Sequence, residues 1–229
     1  AESLPPGMSY TWLKTKRWLS SRKHYKPPFD ALLSANMPGQ ASALRSTEFV
    51  SLDIETNSLE AASADMLSVG WVVIRNGSVD LSSTETYIVR PSGDVGESAS
   101  VHGLTDTVVG AGIDWGVVTD KIVRALTGRV LLVHHAGLDK VLLDRMCRQR
   151  FGSRLLVPVV DTLALEHRRQ KRHHHLDGSS SLRLPDLRDA YGLPRYSAHD
   201  CLVDAIATAE LLLAMAAHHR LKTLGDLLD

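Results

Sequence analysis

Four acids in this 229-residue chain stand where the surrounding pattern asks for something else. "FVSLDIET", residues 49–56, alternates like a half-buried strand, with Val50, Leu52 and Ile54 on one face. Asp53 and Glu55 therefore lie side by side on the other. Asp139 sits in "HHAGLDKVLL", after a buried-strand pattern and inside the first turns of an apolar helix. Asp204 sits in "CLVDAIATA", a helix small or apolar almost all round, with His199 five residues ahead at its start. Each acid has an ordinary reading. Asp53 could end a strand, Asp139 and Asp200 could stabilise helix N-termini, and Asp204 could pair with a buried arginine. As a set they are costly, because neighbouring carboxylates repel and burial disfavours the charged form. Divalent cations would supply the missing charge. A donor set made only of oxygen suits Mg²⁺ or Mn²⁺ better than Zn²⁺.

The elements that must carry these acids follow from the same pattern. "FVSLDIE", "MLSVGWVVI" and "TETYIVR" read as three consecutive strands, with "RNGSVD" turning between the last two. After them, "DWGVVTDKIVRAL" reads as a helix, "RVLLVHH" as a buried strand and "GLDKVLLDRMCRQRF" as a helix. "LVPVVDT" reads as a short strand leading into "LALEHRRQ". "SLRLPDLRDAYG" is a short helix stopped by Gly192, and "AHDCLVDAIATAELLLAMAAHHR" is the longest helix of the chain. Antiparallel strands followed by strand–helix alternation predict an α/β chain with a mixed five-stranded sheet flanked by helices.

Residues 1–47 have a different texture and are expected to form a basic, helical N-terminal extension and linker ahead of a domain at 48–229. In that extension "YTWLKTKRWLSSRKHY" reads as an amphipathic helix with Trp12, Leu13, Trp18 and Leu19 among basic residues, suited to packing or to docking a protein partner. The residues before Met8 read as a cloning remnant, with Met8 the natural start; no secretory signal pattern precedes it.

Bulk properties narrow the classes. Hydrophobic residues make up 44% and charged residues 23%, ordinary for a globular chain, and formal net charge is zero. Bulk charge alone therefore does not hold this chain to nucleic acid. Basic residues nevertheless gather at Lys14, Lys16, Arg17, Arg22, Lys23 and Lys26, and again at Arg168, Arg169, Lys171 and Arg172 in "HRRQKRHHH". The second cluster is expected to be a solvated face or mobile loop, with contact to a polyanion the sharper alternative. His173, His174 and His175 belong to the same polar loop. No run of 18 or more uncharged apolar residues suggests a membrane span. Cys147 and Cys201 lack the spacing of a metal or disulfide framework, which suggests buried thiols and a cytoplasmic location.

"DIET", "HHAGLD" and "HDCLVD", in this order and at these separations, resemble the three motifs of the DEDDh family of 3′–5′ exonucleases. That family includes the epsilon subunit of bacterial DNA polymerase III, ribonuclease T and oligoribonuclease. "VHGLT" at 101–105 resembles the segment between its first two motifs, and the resemblance runs from about Phe49 to His218. It implies a ribonuclease H-like fold and two divalent cations, Mg²⁺ or Mn²⁺, held by Asp53, Glu55, Asp139 and Asp204. It implies His199 as general base, the five-residue step to Asp204 marking the His subclass. It places Thr56, His102, Gly103 and Leu104 beside the terminal nucleotide. The implied reaction releases nucleoside 5′-monophosphates from the 3′ ends of DNA or short single strands, and RNA ends or very short oligonucleotides are the alternative substrates. A non-catalytic docking module is the remaining class, and the complete set of acids weighs against it. Two departures from the family pattern stand out. His135 takes the place of an asparagine and Leu138 that of an aromatic residue in the second motif, and "TNS" at 56–58 replaces "TTG".

Overall fold

The structure is a computed structural model that describes residues 10–58, 60, 63–90, 112–172, 181–197 and 200–228. Its centre is a mixed sheet. β1 (Phe49–Thr56) pairs antiparallel with β2 (Met66–Arg75), and β2 pairs antiparallel with β3 (Ser78–Arg90). The β2–β3 turn is Asn76–Gly77, both at positive φ (55° and 76°), the conformation that matches the twist of a two-residue hairpin. On its other side β1 pairs parallel with β5 (Val130–Val133), which pairs parallel with β6 (Val159–Asp161). These are the five expected strands. A sixth, β4 (Ile113–Asp114), adds two exposed residues at the β3 edge, giving the order β4-β3-β2-β1-β5-β6. Two residues carry no readable period, so β4 has no sequence signature.

Alternation along β1 divides the molecule. Val50, Leu52 and Ile54 join Val69, Trp71, Leu131 and Val133 in one core layer, closed by α3 (Trp115–Leu126) and α4 (Ala136–Phe151) through Ile122, Leu142 and Leu143. Phe49, Val72, Ile74, Val130 and Leu132 face the other layer. That layer is built mainly by α7 (Cys201–His218), with α5 (Thr162–Arg172), α6 (Leu184–Ala190) and α8 (Leu224–Leu228) around it. Ser51, Asp53 and Glu55 share the α7 side by parity. α7 is long and apolar enough to cross a membrane by composition alone, yet Asp204 and Glu210 interrupt it, and Ala205, Ala209, Leu212 and Met215 lie buried. It serves as a core helix.

The N-terminal segment joins the first layer. α1 (Tyr10–Ser20) and α2 (Phe29–Ser34) bury Leu13, Phe29 and Leu32, and Phe29 stacks on Phe151 at the end of α4 with centroids 4.9 Å apart. The buried stripe of α1 differs from the expected one. Tyr10, Leu13 and Arg17 face inward, whereas Trp18 and Leu19 are 54% and 46% exposed. Arg17 bridges three carbonyls, those of Leu156 (2.8 Å), Ala35 (2.8 Å) and Leu32. A guanidinium carries enough donors to satisfy all three, which is why a charged residue occupies this position.

The second basic cluster is also more structural than expected. Arg168 and Arg169 lie on α5, not in a loop. Arg168 donates to the carbonyl of Leu227 at 2.8 Å, and Arg169 reaches the Tyr191 hydroxyl and pairs with Glu166 at 3.8 Å. Lys171 and Arg172 are exposed at the end of α5, and His173–His175 lie outside the described residues.

Candidate active site

β1 delivers its two acids at the end of the strand. Asp53 pairs with Gly70 and Glu55 with Ser68 on β2, and the register shifts immediately afterwards, between Glu55 and Thr56. The absence of a side chain at Gly70 leaves the space opposite Asp53 to α7. A Cβ built on Gly70 would stand 2.5 Å from the nitrogen of Leu202, 2.6 Å from its Cα and 2.8 Å from the carbonyl carbon of Cys201. Glycine inside a strand marks such a close backbone approach. Ser51, one step back on the same face, donates to the carbonyl of Ala205 at 2.7 Å. The first turn of α7 is thereby seated on β1 and β2, with Asp204 against the strand acids. Asp200 caps that helix, its carboxylate accepting from the N–H groups of Leu202 and Val203 at 3.0 and 3.2 Å.

Asp139 arrives from the other layer. α4 begins after His135, which takes the left-handed conformation (φ 73°, ψ 71°). Asparagine and histidine both tolerate that region better than most residues, so the departure from the family's asparagine keeps the backbone geometry. The turn is secured by Asp161. One of its carboxylate oxygens accepts from His135 N–H (2.9 Å) and from Leu163 and Ala164 at the start of α5 (3.0 and 3.2 Å). The other accepts from Ala136 N–H (2.9 Å). Preceding it, His134 lies between the Thr162 hydroxyl (2.8 Å) and the Leu182 carbonyl (3.0 Å), and burial lowers its basicity. Its Nε2 must carry the hydrogen toward the carbonyl, leaving Nδ1 to accept from Thr162.

Carboxylate oxygens of Asp53, Glu55 and Asp204 lie within 4.8 Å of one another. Burial, followed by Asp139, Asp204, Glu55 and Asp200, raises the Asp53 pKa well above the carboxylate range. Burial first, then Asp161 and Glu55, pushes Asp139 up to about 8. Among the described residues, every charge bearing on Asp53 is another carboxylate. Burial and mutual repulsion therefore favour the protonated forms of Asp53 and Asp139 unless positive charge is added. A hard divalent cation fits this donor set, since it can replace the protons with charge. Arg188, the buried arginine beside α7, is committed to Glu210 (2.8 Å) and to the carbonyls of Ala207 and Pro194.

The structure thus gathers Asp53, Glu55 and Asp204, with Asp139 close enough to act on Asp53. Thr56 ends β1 beside Glu55, is buried, and spends its hydroxyl on the carbonyl of Ser58 at 2.7 Å. His102, Gly103, Leu104 and His199 lie outside the described residues. Sequence reasoning overlooked Gly70, Ser51 and Asp161. Gly70 interrupts a mostly apolar strand, and Ser51 continues the period of Asp53 and Glu55, so both left a trace; Asp161 left none.

Residues 50–212 match the RNase_T family, described as Exonuclease. The chain is 28% identical over 186 residues to a PolC-type DNA polymerase III of Caldanaerobacter subterraneus subsp. tengcongensis, an alignment covering 77% of this chain and 12% of the polymerase. A PolC-type DNA polymerase III of Thermotoga petrophila is 25% identical over 175 residues, 75% of this chain and again 12% of the polymerase. The chain therefore spans only a small part of these relatives. Among solved structures, Escherichia coli exonuclease I in complex with a dT13 oligonucleotide superposes with a TM-score of 0.64 at 17% identity, covering 76% of this chain and 42% of that one. This likeness is one of fold. The chain belongs to the RNase_T family of exonucleases and has the ribonuclease H-like fold.

Proposed function

We propose that the chain is a divalent-metal-dependent 3′–5′ exonuclease of the DEDDh type, acting on single-stranded DNA or short single strands. One observation carries the reading: Asp53, Glu55 and Asp204 converge within 4.8 Å, with Asp139 buried beside them. These four would hold Mg²⁺ or Mn²⁺. When bound, the cations supply the positive charge that stabilises a phosphoryl group as negative charge builds on it. The chain's own residues do the rest. Gly70 and Ser51 seat α7 so that Asp204 faces the strand acids. Asp161 fixes the turn that carries Asp139. His199 takes a proton from the attacking water, a role that imidazole side chains commonly fill. The water oxygen bonds to the terminal phosphorus, the bond to the 3′ oxygen of the preceding nucleotide breaks, that oxygen takes up a proton from solvent, and a nucleoside 5′-monophosphate leaves the shortened strand. Support for a single-stranded DNA substrate comes from the fold neighbours, solved with dT13 and dA16 oligonucleotides.

The test is a time course on strands labelled at the 5′ or the 3′ end. Label at the 3′ end should appear at once in mononucleotide, and label at the 5′ end in a descending ladder. EDTA should stop both, and Mg²⁺ or Mn²⁺ should restore them. Hydrolysis that persists without divalent cations, or starts at the 5′ end, refutes the proposal.

A further inference from the structure

The outer face of α1 has no role in the site described above, and its chemistry is specific. Leu13 and the three-carbonyl clamp of Arg17 fix the inner face, so the outer face is held in one orientation. Lys14 and Lys16 flank the buried stripe on its two sides, and Arg22, Lys23 and Lys26 follow the end of the helix, all exposed. No acidic residue occurs between Tyr10 and Phe29. The cations pair with aromatic rings at a constant spacing of four. Lys14 lies 5.2 Å from the Tyr10 ring centre, Lys16 5.7 Å from that of Trp12, and Arg22 3.6 Å from that of Trp18. Trp18, more than half exposed, contributes nothing to the core.

We infer that this face is an accessory binding surface for single-stranded nucleic acid, engaging the strand upstream of the 3′ end being cut. The inference rests on the exonuclease reading above. Positive charge complements the phosphate backbone, and an exposed indole offers a surface on which any base can stack. A membrane is the poorer occupant. A helix that lies in a bilayer needs a broad apolar face turned outward, and here Tyr10 and Leu13 are spent on the core, leaving mainly Trp18 and Leu19 exposed among cations. Position fits an upstream contact. α1 is anchored through Arg17 to the carbonyl of Leu156, α2 beside it stacks Phe29 on Phe151, and Phe151 lies twelve positions after Asp139 along α4, about 18 Å of helix. Only a strand several nucleotides long reaches both places. Holding it at two points makes the second contact intramolecular and raises its effective concentration near the acids.

The experiment compares the full chain with a variant carrying Lys14→Ala, Lys16→Ala, Arg22→Ala and Lys23→Ala, and with Trp18→Ala. Substrates are a trinucleotide and a long oligothymidylate. Both variants should raise KM for the long strand on the order of tenfold, consistent with removing one stacking surface or several phosphate partners. kcat, and all hydrolysis of the trinucleotide, should stay at parental values. The salt dependence of long-strand binding should flatten by up to ~0.7 in log–log slope for each phosphate that is no longer neutralised. Fluorescence anisotropy of the labelled long strand in EDTA repeats the comparison without hydrolysis. A parent that cuts nothing would therefore sink the exonuclease reading and leave this one to the anisotropy. Unchanged affinity for the long strand in both variants overturns the inference. So does equal loss on both substrates, and so does a parent that sediments with phosphatidylglycerol vesicles but binds long strands no better than short ones.

Discussion

Replacing Gly70 with alanine adds one methyl group on the sheet face that carries Asp53 and seats α7, and it should disable the site. The new Cβ would begin 2.5–2.8 Å from three backbone atoms of Cys201 and Leu202. Carbon atoms sit comfortably at about 3.5 Å or more, so roughly 1 Å of separation has to be created. No side chain can swing aside, because the obstructing atoms are main chain. The first turn of α7 must lift from β2, and Asp204 is two residues further along that turn. Overpacking of this kind costs about 1–3 kcal/mol, leaving a folded protein with a lowered Tm. A displacement of about 1 Å in a catalytic array costs on the order of 10²-fold in rate. The assay is kcat on an end-labelled single strand over a Mg²⁺ titration, beside a thermal melt. Activity should fall about a hundredfold, with a higher Mg²⁺ requirement and a modest loss in Tm. Ser51→Ala is the control. It removes the hydrogen bond to Ala205 without adding bulk, and should cost about 1 kcal/mol with a much smaller loss of rate. A Gly70→Ala protein with parental kcat and Mg²⁺ response would refute the argument that this approach positions Asp204.

Four further outcomes are expected. Asp53→Asn should abolish hydrolysis while raising Tm in EDTA, since it removes a carboxyl group whose charged form burial and the neighbouring acids disfavour; His199→Ala, by contrast, should cut the rate on the order of 10²-fold and leave Mg²⁺ binding intact by calorimetry. Metal-free protein should lose stability as pH rises. Asp139 is held near 8 in the fold and near 4 when unfolded, so its favourable contribution is complete below about pH 4 and is lost as pH climbs through about 8. Added Mg²⁺ should accordingly raise Tm more at about pH 8 than at about pH 5, and the opposite trend would refute the assignment of burial as the cause. Arg17→Ala should leave three carbonyls short of a donor, costing roughly 3 kcal/mol. In a chain this long that lowers Tm by about 6–12 °C, read by circular dichroism.

Periodicity exposed most of the fold because the sheet is amphipathic in a simple way. β1 carries apolar residues on one face and acids on the other, and the Asn76–Gly77 hairpin announces itself by residue type. Asp53, Glu55 and Asp204 were legible for the same reason, as charges placed against an apolar pattern. What escaped notice depends on neighbours distant in the chain. Arg17 reads as one more exposed cation until Leu156, 139 residues away, presents its carbonyl. Arg168 and Arg169 read as part of a basic run, but α8 and Tyr191 turn them toward the body. Asp161 is an ordinary acid after a short strand, and its importance lies wholly in which N–H groups the fold brings to it. Long-range partners of polar side chains leave no period to detect.

Asp161 also settles how the site can treat an anion. The start of a helix ordinarily welcomes a phosphate, because its free N–H groups and dipole favour negative charge. Here one built-in carboxylate occupies the starts of both α4 and α5, and Asp200 occupies that of α7 in the same manner. The polypeptide has, in effect, supplied its own anions to the three docking points nearest the acids. Among the described residues, an incoming phosphodiester meets no vacant helix end there and faces carboxylates that repel it. On the proposed metal-dependent reading, affinity for the scissile phosphate would come largely from the cations that the acids recruit, and the metals would act as a licence for substrate entry as well as for chemistry. A strand should bind the acid cluster only after the ions do.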